Sequence, residues 1–140
     1  MNPKKCLFRN DYDPNAGVLI LRVFIGLAML THGWGKMFGG LDGFAQGLAG
    51  MGIPLPAVSA FLAAFAESFG AILLAIGLLT RPAAFLIAVT MAVAALVAHG
   101  GEGFAAQEMA WLYFFPALLF FLKGGGKWSI DALIRPKTAE

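Results

Sequence analysis

Four long apolar stretches dominate this chain and constrain its fold more than any other feature. Crossing the hydrocarbon core of a bilayer takes about 20 mostly apolar residues in a helix. Open strands leave backbone polar groups unpaired in lipid, and these stretches lack the two-residue alternation of a membrane β-barrel. The sequence therefore predicts four transmembrane helices, over residues 16–38, 55–80, 82–98 and 106–122.

The amino-acid composition excludes the main alternatives to a membrane protein. Hydrophobic residues make up 59% of the 140 residues and charged residues only 13%. A typical soluble domain has about 45–50% apolar and about 25% charged residues. Disorder requires low hydrophobicity and high net charge. A nucleic-acid-binding protein is excluded as well, because the net charge is only +2 and most Lys and Arg residues lie at the two ends. The expected partner is the lipid bilayer.

The short connections favour an all-α, membrane-embedded four-helix bundle with up-down-up-down topology. We expect an N-terminal tail at residues 1–15, the transmembrane domain at 16–123 and a C-terminal tail at 124–140. A short helix is predicted in the Gly-rich connection 39–54, and another follows Ser129, its N-cap. Thr80-Arg81-Pro82 is predicted to form a tight turn, and Pro116 to kink the last span. Four aromatic residues are expected to anchor span ends at the membrane interface, namely Trp34, Trp111, Tyr113 and Trp128.

The distribution of positive charges predicts the orientation of the bundle. Eight Lys and Arg residues fall in the N-terminal tail, the second connection and residues 123–140, whereas only Lys36 lies on the other side. Positive charges accumulate on the cytoplasmic side, so both termini are expected in the cytoplasm. Acidic residues among the basic ones at 1–15 argue against a signal peptide. The single cysteine, Cys6, forms no intramolecular disulfide and would lie in a reducing compartment.

A reporter fusion tests this orientation. A reporter fused after Glu140 should be active if it folds only in the cytoplasm, because residues 123–140 carry four of the positive charges. A reporter that works only in the periplasm should be silent at the same position. Activity of the periplasmic reporter would contradict the predicted topology.

Ionisable side chains inside the spans are costly in lipid and therefore mark a candidate site. A rise of about 1.5 Å per residue puts four of them at one depth, about 20–26 Å from the cytoplasmic ends of four different spans. These four are His32, Glu67, His99 and Glu108, with Lys36 above them and Arg22 below. If all four face inward, they form a ring of two imidazoles and two carboxylates in the outer half of the bundle.

Several interpretations of this ring remain open. His and a buried Glu exchange protons near neutral pH, which suits a quinone head group. The same four residues resemble a metal ligand set, although the Glu-x-x-His spacing of di-iron bundles is absent. His32 and His99 could instead bind a haem from opposite faces. A structural interpretation competes. His99 and Glu108 lie near span ends where water solvates them, and Glu67 could form a structural pair with His32, Lys36 or Arg22.

The quinone interpretation makes two structural predictions. His32 and Glu67 should interact, directly or through one water molecule. A cavity bounded by the ring and Lys36 should lie above an apolar floor of residues such as Phe24, Met29 and Phe114.

Five motifs together resemble the DoxX family of small membrane proteins over about residues 16–134. They are Arg22-x-x-x-Gly26, then His32-Gly33-x-x-Lys36, then Glu67 with Gly70 and the run 73–81, then Glu108, and finally Gly124-x-Gly126-x-x-Ser129-Ile130-Asp131. The resemblance implies a four-helix inner-membrane protein with a link to respiratory redox chemistry. Relatives are described as membrane subunits of a thiosulfate:quinone oxidoreductase, or as membrane partners in a complex that ties thiol metabolism to superoxide defence.

The resemblance and the ring lead to a functional hypothesis, a membrane subunit of a quinone-linked redox system. His32, Lys36 and Glu67 are the candidate catalytic residues. The candidate substrate-binding residues are these three together with Arg22, His99 and Glu108. The sequence contains no nucleotide-binding loop, cysteine pair or iron–sulfur ligand run, so a partner protein would supply the electrons. A small transporter or proton path, and an assembly or scaffold subunit, are the alternatives, and self-association remains open.

Overall fold

The computed structural model describes residues 13–136, and this part of the chain contains helices and no strands. Four helices are long and apolar enough to span a membrane, as predicted. In chain order the helices are α1 (Pro14–Phe38), α2 (Leu41–Gly50), α3 (Pro56–Ile76), α4 (Thr80–Ala98), α5 (Phe104–Lys123) and α6 (Ile130–Ile134), of which α1, α3, α4 and α5 are the spans. Both ends of the described chain therefore lie at one end of the bundle, the termini end. The opposite end, which carries α2 and the connection between α4 and α5, is the far end.

The predicted helix bounds hold within a few residues, apart from one turn. Thr80-Arg81-Pro82 does not form the turn between the second and third spans, because these residues begin α4. The chain instead reverses at Gly77–Leu79, where Gly77 and Leu79 both adopt left-handed backbone angles. Pro82 is tolerated in the first turn of α4 because no helical acceptor is available there for its missing N–H. The two short helices are present, and the Ser129 hydroxyl accepts a hydrogen bond from the Ala132 N–H as its N-cap.

The bundle is built from two closely packed helix pairs. Helix α1 packs along α3, and α4 packs along α5. The shared core consists largely of alanines together with a few large side chains, namely Met29, Leu74, Ile87 and Phe120. Small residues bring helix backbones close together in membranes, where packing rather than water exclusion drives association.

Two glycines of α1 set the distance between α1 and α3. A Cβ at Gly26 would lie 2.7 Å from the Ala71 carbonyl oxygen, and one at Gly33 would lie 2.2 Å from the Glu67 carbonyl carbon. Both distances are far shorter than a van der Waals contact, so neither position has room for a side chain. The sequence motifs around Arg22 and His32 therefore contain glycine for packing.

Gly33→Ala and Gly35→Ala form a matched pair that tests this close approach. A methyl group at Gly33 must push α3 away at Glu67, so we expect a loss of about 1–3 kcal/mol in unfolding free energy or a failure to fold. Gly35 on the same helix has nothing within 4 Å of its added Cβ, so Gly35→Ala should be neutral or stabilising by up to about 1 kcal/mol. Thermal unfolding in detergent measures both. Equal stability of the two variants would contradict the close approach.

The segment after α5 folds back against the termini end and caps α4. Asp131 Oδ1 accepts from the Leu79 N–H and Oδ2 from the Thr80 N–H, each at 2.8 Å. The Asp131 N–H in turn donates to the Gly77 carbonyl at 2.9 Å. A carboxylate at a helix N-terminus pairs orphan N–H groups and interacts favourably with the helix dipole. Asp131 thus fixes the tail to the turn between α3 and α4.

The pKa of Asp131 links this cap to pH. Partial burial raises the pKa, but the hydrogen bonds from Thr80 and from the Leu79 N–H, with the charge of Arg22, outweigh it and leave the pKa lowered. A carboxyl group with a lowered pKa stabilises the fold above its unfolded-state pKa, and the contribution is lost as the pH falls through the folded-state value.

Asp131→Asn should therefore lower stability by about 1–2 kcal/mol at pH 7, because the charged cap is lost. The difference from the wild type should begin to shrink as the pH falls below the ordinary aspartate pKa of about 3.9, and it should shrink further toward the lowered folded-state pKa of Asp131. Unfolding in detergent, followed from pH 7 to pH 3, measures the difference. If the difference in unfolding free energy between the wild type and Asp131→Asn stays constant over this pH range, the charge of Asp131 does not stabilise the cap.

Candidate functional site

An ion pair between α1 and α3 occupies the far half of the bundle. Lys36 Nζ lies 2.6 Å from Glu67 Oε2. The Glu67 side chain is only 4% exposed, whereas the Lys36 side chain is 35% exposed. A carboxylate buried this deeply needs a partner, and Lys36 supplies both a charge and a hydrogen bond. The sequence left three partners open for Glu67, and the structure pairs it with Lys36.

The local backbone explains why Glu67 meets Lys36. Residues Ala66–Gly70 form a π-helical turn inside α3, and Gly33 of α1 packs directly against the Glu67 backbone within it. A π-helical turn widens the helix and is frequent at functional sites. Lys36 lies one turn beyond Gly33 on α1, so the close approach of the two helices brings its ammonium group to the carboxylate.

Helix α2 covers the exposed side of the Lys36–Glu67 pair. The Lys36 ammonium lies 4.7 Å from the centre of the Phe44 ring, a distance at which a cation is attracted to an aromatic face. Leu48, one turn further along α2, is buried. Phe44 thus joins the site through the connection between α1 and α3. Sequence reasoning placed it on a helix but assigned it no role, because cation–π contacts depend on tertiary placement.

His32 does not join this pair. It is exposed, and its ring meets Tyr113 of α5 edge-on, with centroids 5.7 Å apart. The predicted direct contact between His32 and Glu67 is not formed, since the Glu67 carboxylate bonds Lys36 and the His32 ring contacts Tyr113. Tyr113 was also misplaced by the sequence, as an anchor at a span end, whereas it lies midway along α5. His32 lies one turn before Lys36 on α1, so helical spacing makes the two residues neighbours.

His99 and Glu108 lie apart from the Lys36–Glu67 pair. His99 Nδ1 is 3.1 Å from Glu102 Oε2 in the connection between α4 and α5, and both side chains are well exposed. Glu108 is exposed and lines a groove on the surface of α5, together with apolar residues that include Trp111 and Phe115. The four-residue ring is therefore not assembled. These four residues therefore do not form a metal site. Within residues 13–136, no three or more His, Cys, Asp or Glu side chains lie close enough together to hold a metal ion.

Arg22 is buried at the termini end, far from the other candidates. Its guanidinium donates to the Ala75 carbonyl at 3.3 Å, to the Trp128 carbonyl at 2.9 Å and to the Gly125 carbonyl. The fourteen residues between Arg22 and Lys36 correspond to about 21 Å of helix. The described hydrogen bonds of Arg22 thus go to backbone carbonyls and not to Glu67. This geometry gives Arg22 a structural role.

The predicted floor of the cavity is only partly present. Met29 is buried in the core and Phe114 packs against it. Phe24 instead points outward, with 66% of its surface exposed. No single cavity bounded by the whole ring can exist, because its members face different sides of the bundle. The arrangement that remains is the Lys36–Glu67 pair beneath Phe44, with His32 and Tyr113 beside it.

Comparison with known proteins agrees with this architecture. The DoxX family model matches residues 17–100, which include α1 to α4 and the Lys36–Glu67 pair. The chain belongs to the DoxX family. The matched residues include the two glycines that set the helix spacing and the ion pair that they bring together.

Individual relatives support the membrane location. Inner membrane protein YphA of Escherichia coli is 35% identical over 59% of this chain and 58% of its own length. An uncharacterized protein of Haemophilus influenzae is 31% identical over 79% of this chain and 85% of its own. CatD of Bacillus subtilis, named a putative oxidoreductase, is 37% identical over 54% of each chain. Two of these three relatives are thus matched over less than two thirds of their length. No solved structure matches the chain.

Double-variant measurements test the Lys36–Glu67 pair. Lys36→Met leaves the buried Glu67 carboxylate without its partner, and we expect a loss of about 2 kcal/mol in unfolding free energy. Glu67→Gln should cost less, because a neutral amide is cheaper to bury. In the double variant, Glu67→Gln should recover part of the unfolding free energy that Lys36→Met loses. Unfolding by denaturing detergent measures the stability of all three variants. Strictly additive losses would show that the two groups do not interact.

Proposed function

We propose that this DoxX-family protein is the membrane subunit of a quinone-linked redox system, and that the Lys36–Glu67 pair binds the quinone head group. The observation that carries the proposal is a buried carboxylate paired with a partly exposed ammonium group at membrane depth. Ionisable groups at that depth are costly and are retained for function by default. The printed name of CatD, a putative oxidoreductase, supports redox chemistry.

The residues of the pair fit a quinone head group. Lys36 Nζ carries three N–H donors, and Glu67 uses only one of its oxygens on it. A carbonyl oxygen of the head group can accept from the remaining donors, while the Phe44 ring offers a flat apolar surface. Such a pocket combines apolar walls with a few fixed polar groups, as small-molecule sites do.

Proton handling is the chemistry that this chain itself would contribute. Converting a quinone to a quinol consumes two electrons and two protons. Lys36 holds a proton at Nζ, and Glu67 Oε2 can accept one, so the pair is a short proton path at the head group. The electrons would come from a partner protein, because the described residues contain no cysteine pair to carry them. We propose a bacterial inner membrane with both termini in the cytoplasm, which puts the site in the outer half.

Titration with a quinone tests the proposal on the intact protein in lipid nanodiscs. The probe is decylubiquinone, and binding is followed by quenching of tryptophan fluorescence. Wild-type protein should bind, and Glu67→Gln should weaken binding by about tenfold, because one charged hydrogen-bond partner of Lys36 is lost. Glu102→Gln is the matched control, since Glu102 lies in the exposed connection with His99.

Two results would count against this function. Wild-type protein that does not bind the quinone would favour the transporter or scaffold alternatives. Equal binding by Glu67→Gln and Glu102→Gln would show that the buried carboxylate has no special role. Analysis of lipids that co-purify with the wild type adds an independent readout, because a bound quinone should be extracted with them.

A further inference from the structure

The boundary between α1 and α5 in the far half of the bundle carries two polar side chains at membrane depth. We call it the α1–α5 seam and define it by His32 and Tyr113, whose rings meet edge-on. His32 lies about 9 Å below the far end of α1, and Tyr113 about 14 Å below the start of α5. The bilayer at these depths offers no water to satisfy an imidazole or a phenol.

Neither polar group is satisfied by the protein. Within residues 13–136 the His32 ring nitrogens and the Tyr113 hydroxyl form no hydrogen bond, and their shared contact is between rings. His32 is exposed and Tyr113 is half-buried, so both can be reached from outside the bundle. The neighbouring Trp111 differs, because its Nε1 already donates to Gln107. Two adjacent donors that face an apolar medium indicate a ligand that accepts hydrogen bonds there.

The position of the seam connects it to the buried ion pair. Helix α5 packs mainly on α4 and touches α1 less, which leaves this side of the bundle the least closed. His32 and Lys36 are one turn apart on α1, with Cβ atoms about 5–6 Å apart. His32 therefore lies between Tyr113, which its ring contacts, and Lys36, which bonds Glu67.

We infer that the α1–α5 seam is the lateral entry site for a lipid-soluble quinone, and that His32 and Tyr113 hydrogen-bond a carbonyl oxygen of its head group. The inference rests on the proposed quinone function and adds residues and a route to it. A neutral His and a Tyr each offer one donor to a carbonyl acceptor. A quinone fits because its planar head accepts hydrogen bonds while its apolar tail stays in the lipid beside the seam.

The test uses two variants that keep the rings and remove the donors. Tyr113→Phe and His32→Phe should each weaken decylubiquinone binding in nanodiscs by about 5- to 10-fold, the value of one buried hydrogen bond. Thr31→Val is the matched control, because it removes a neighbouring hydroxyl that already donates to the Ala28 carbonyl at 2.7 Å. Its binding should stay within about twofold of wild type. Thermal unfolding of each variant confirms that it is folded.

Lys36→Met, titrated in parallel, separates this inference from the proposed function. If Lys36→Met weakens binding while both seam variants behave like Thr31→Val, the seam is not part of the site and the function stands. If the seam variants weaken binding and Lys36→Met does not, the seam is supported and the ion pair is not the head-group site. A wild-type protein that binds no quinone overturns both.

Discussion

The guanidinium of Arg22 is the interaction on which the termini end of the bundle depends. Burying an unpaired charge in an apolar interior costs several kcal/mol or more, and hydrogen bonds to a charged group return about 1.5–3 kcal/mol each. Arg22 is fully buried and donates to carbonyls of α3 and of the loop after α5. The first and third helices and the C-terminal segment are therefore held together by one side chain. Gly77 and Gly125 leave it room, because a Cβ at either would lie within 3.1 Å of the guanidinium.

The same constraint operates in the far half with a different result. Glu67 is buried and must be paired, but its partner Lys36 keeps a third of its side chain exposed. The described hydrogen bonds of Arg22 all go to backbone carbonyls, whereas the Lys36–Glu67 pair joins two side chains. The termini end therefore has a fully buried charge, and the far half has an ion pair that is partly exposed. The π-helical turn at Ala66–Gly70 adds to this difference, since it places the only distorted turn of α3 at the carboxylate.

The candidate site shows where sequence reasoning reached its limit. Depth along a helix can be counted from sequence, and His32, Glu67, His99 and Glu108 do fall in the far half. Direction around the helix decides contacts, and it depends on how the helices pack. Glu67 faces α1, while Glu108 lies on the surface of α5 beside Trp111 and Phe115. Residues at one depth thus separate into different surroundings, which is why no sequence pattern marked Tyr113 or Phe44 as a neighbour of the candidate site.

The sequence alone determined the class of the protein, its four spans, its two short helices and the residues costly enough in lipid to require an explanation. These follow from local properties, namely apolar length, capping residues and charge. Only the tertiary structure decided that Lys36 pairs with Glu67, that Arg22 binds carbonyls and that His32 meets Tyr113. Each of these contacts joins residues at least 31 positions apart in the chain. Such pairings are set by the helix spacing that Gly26 and Gly33 permit and by helix rotation, which no local pattern encodes.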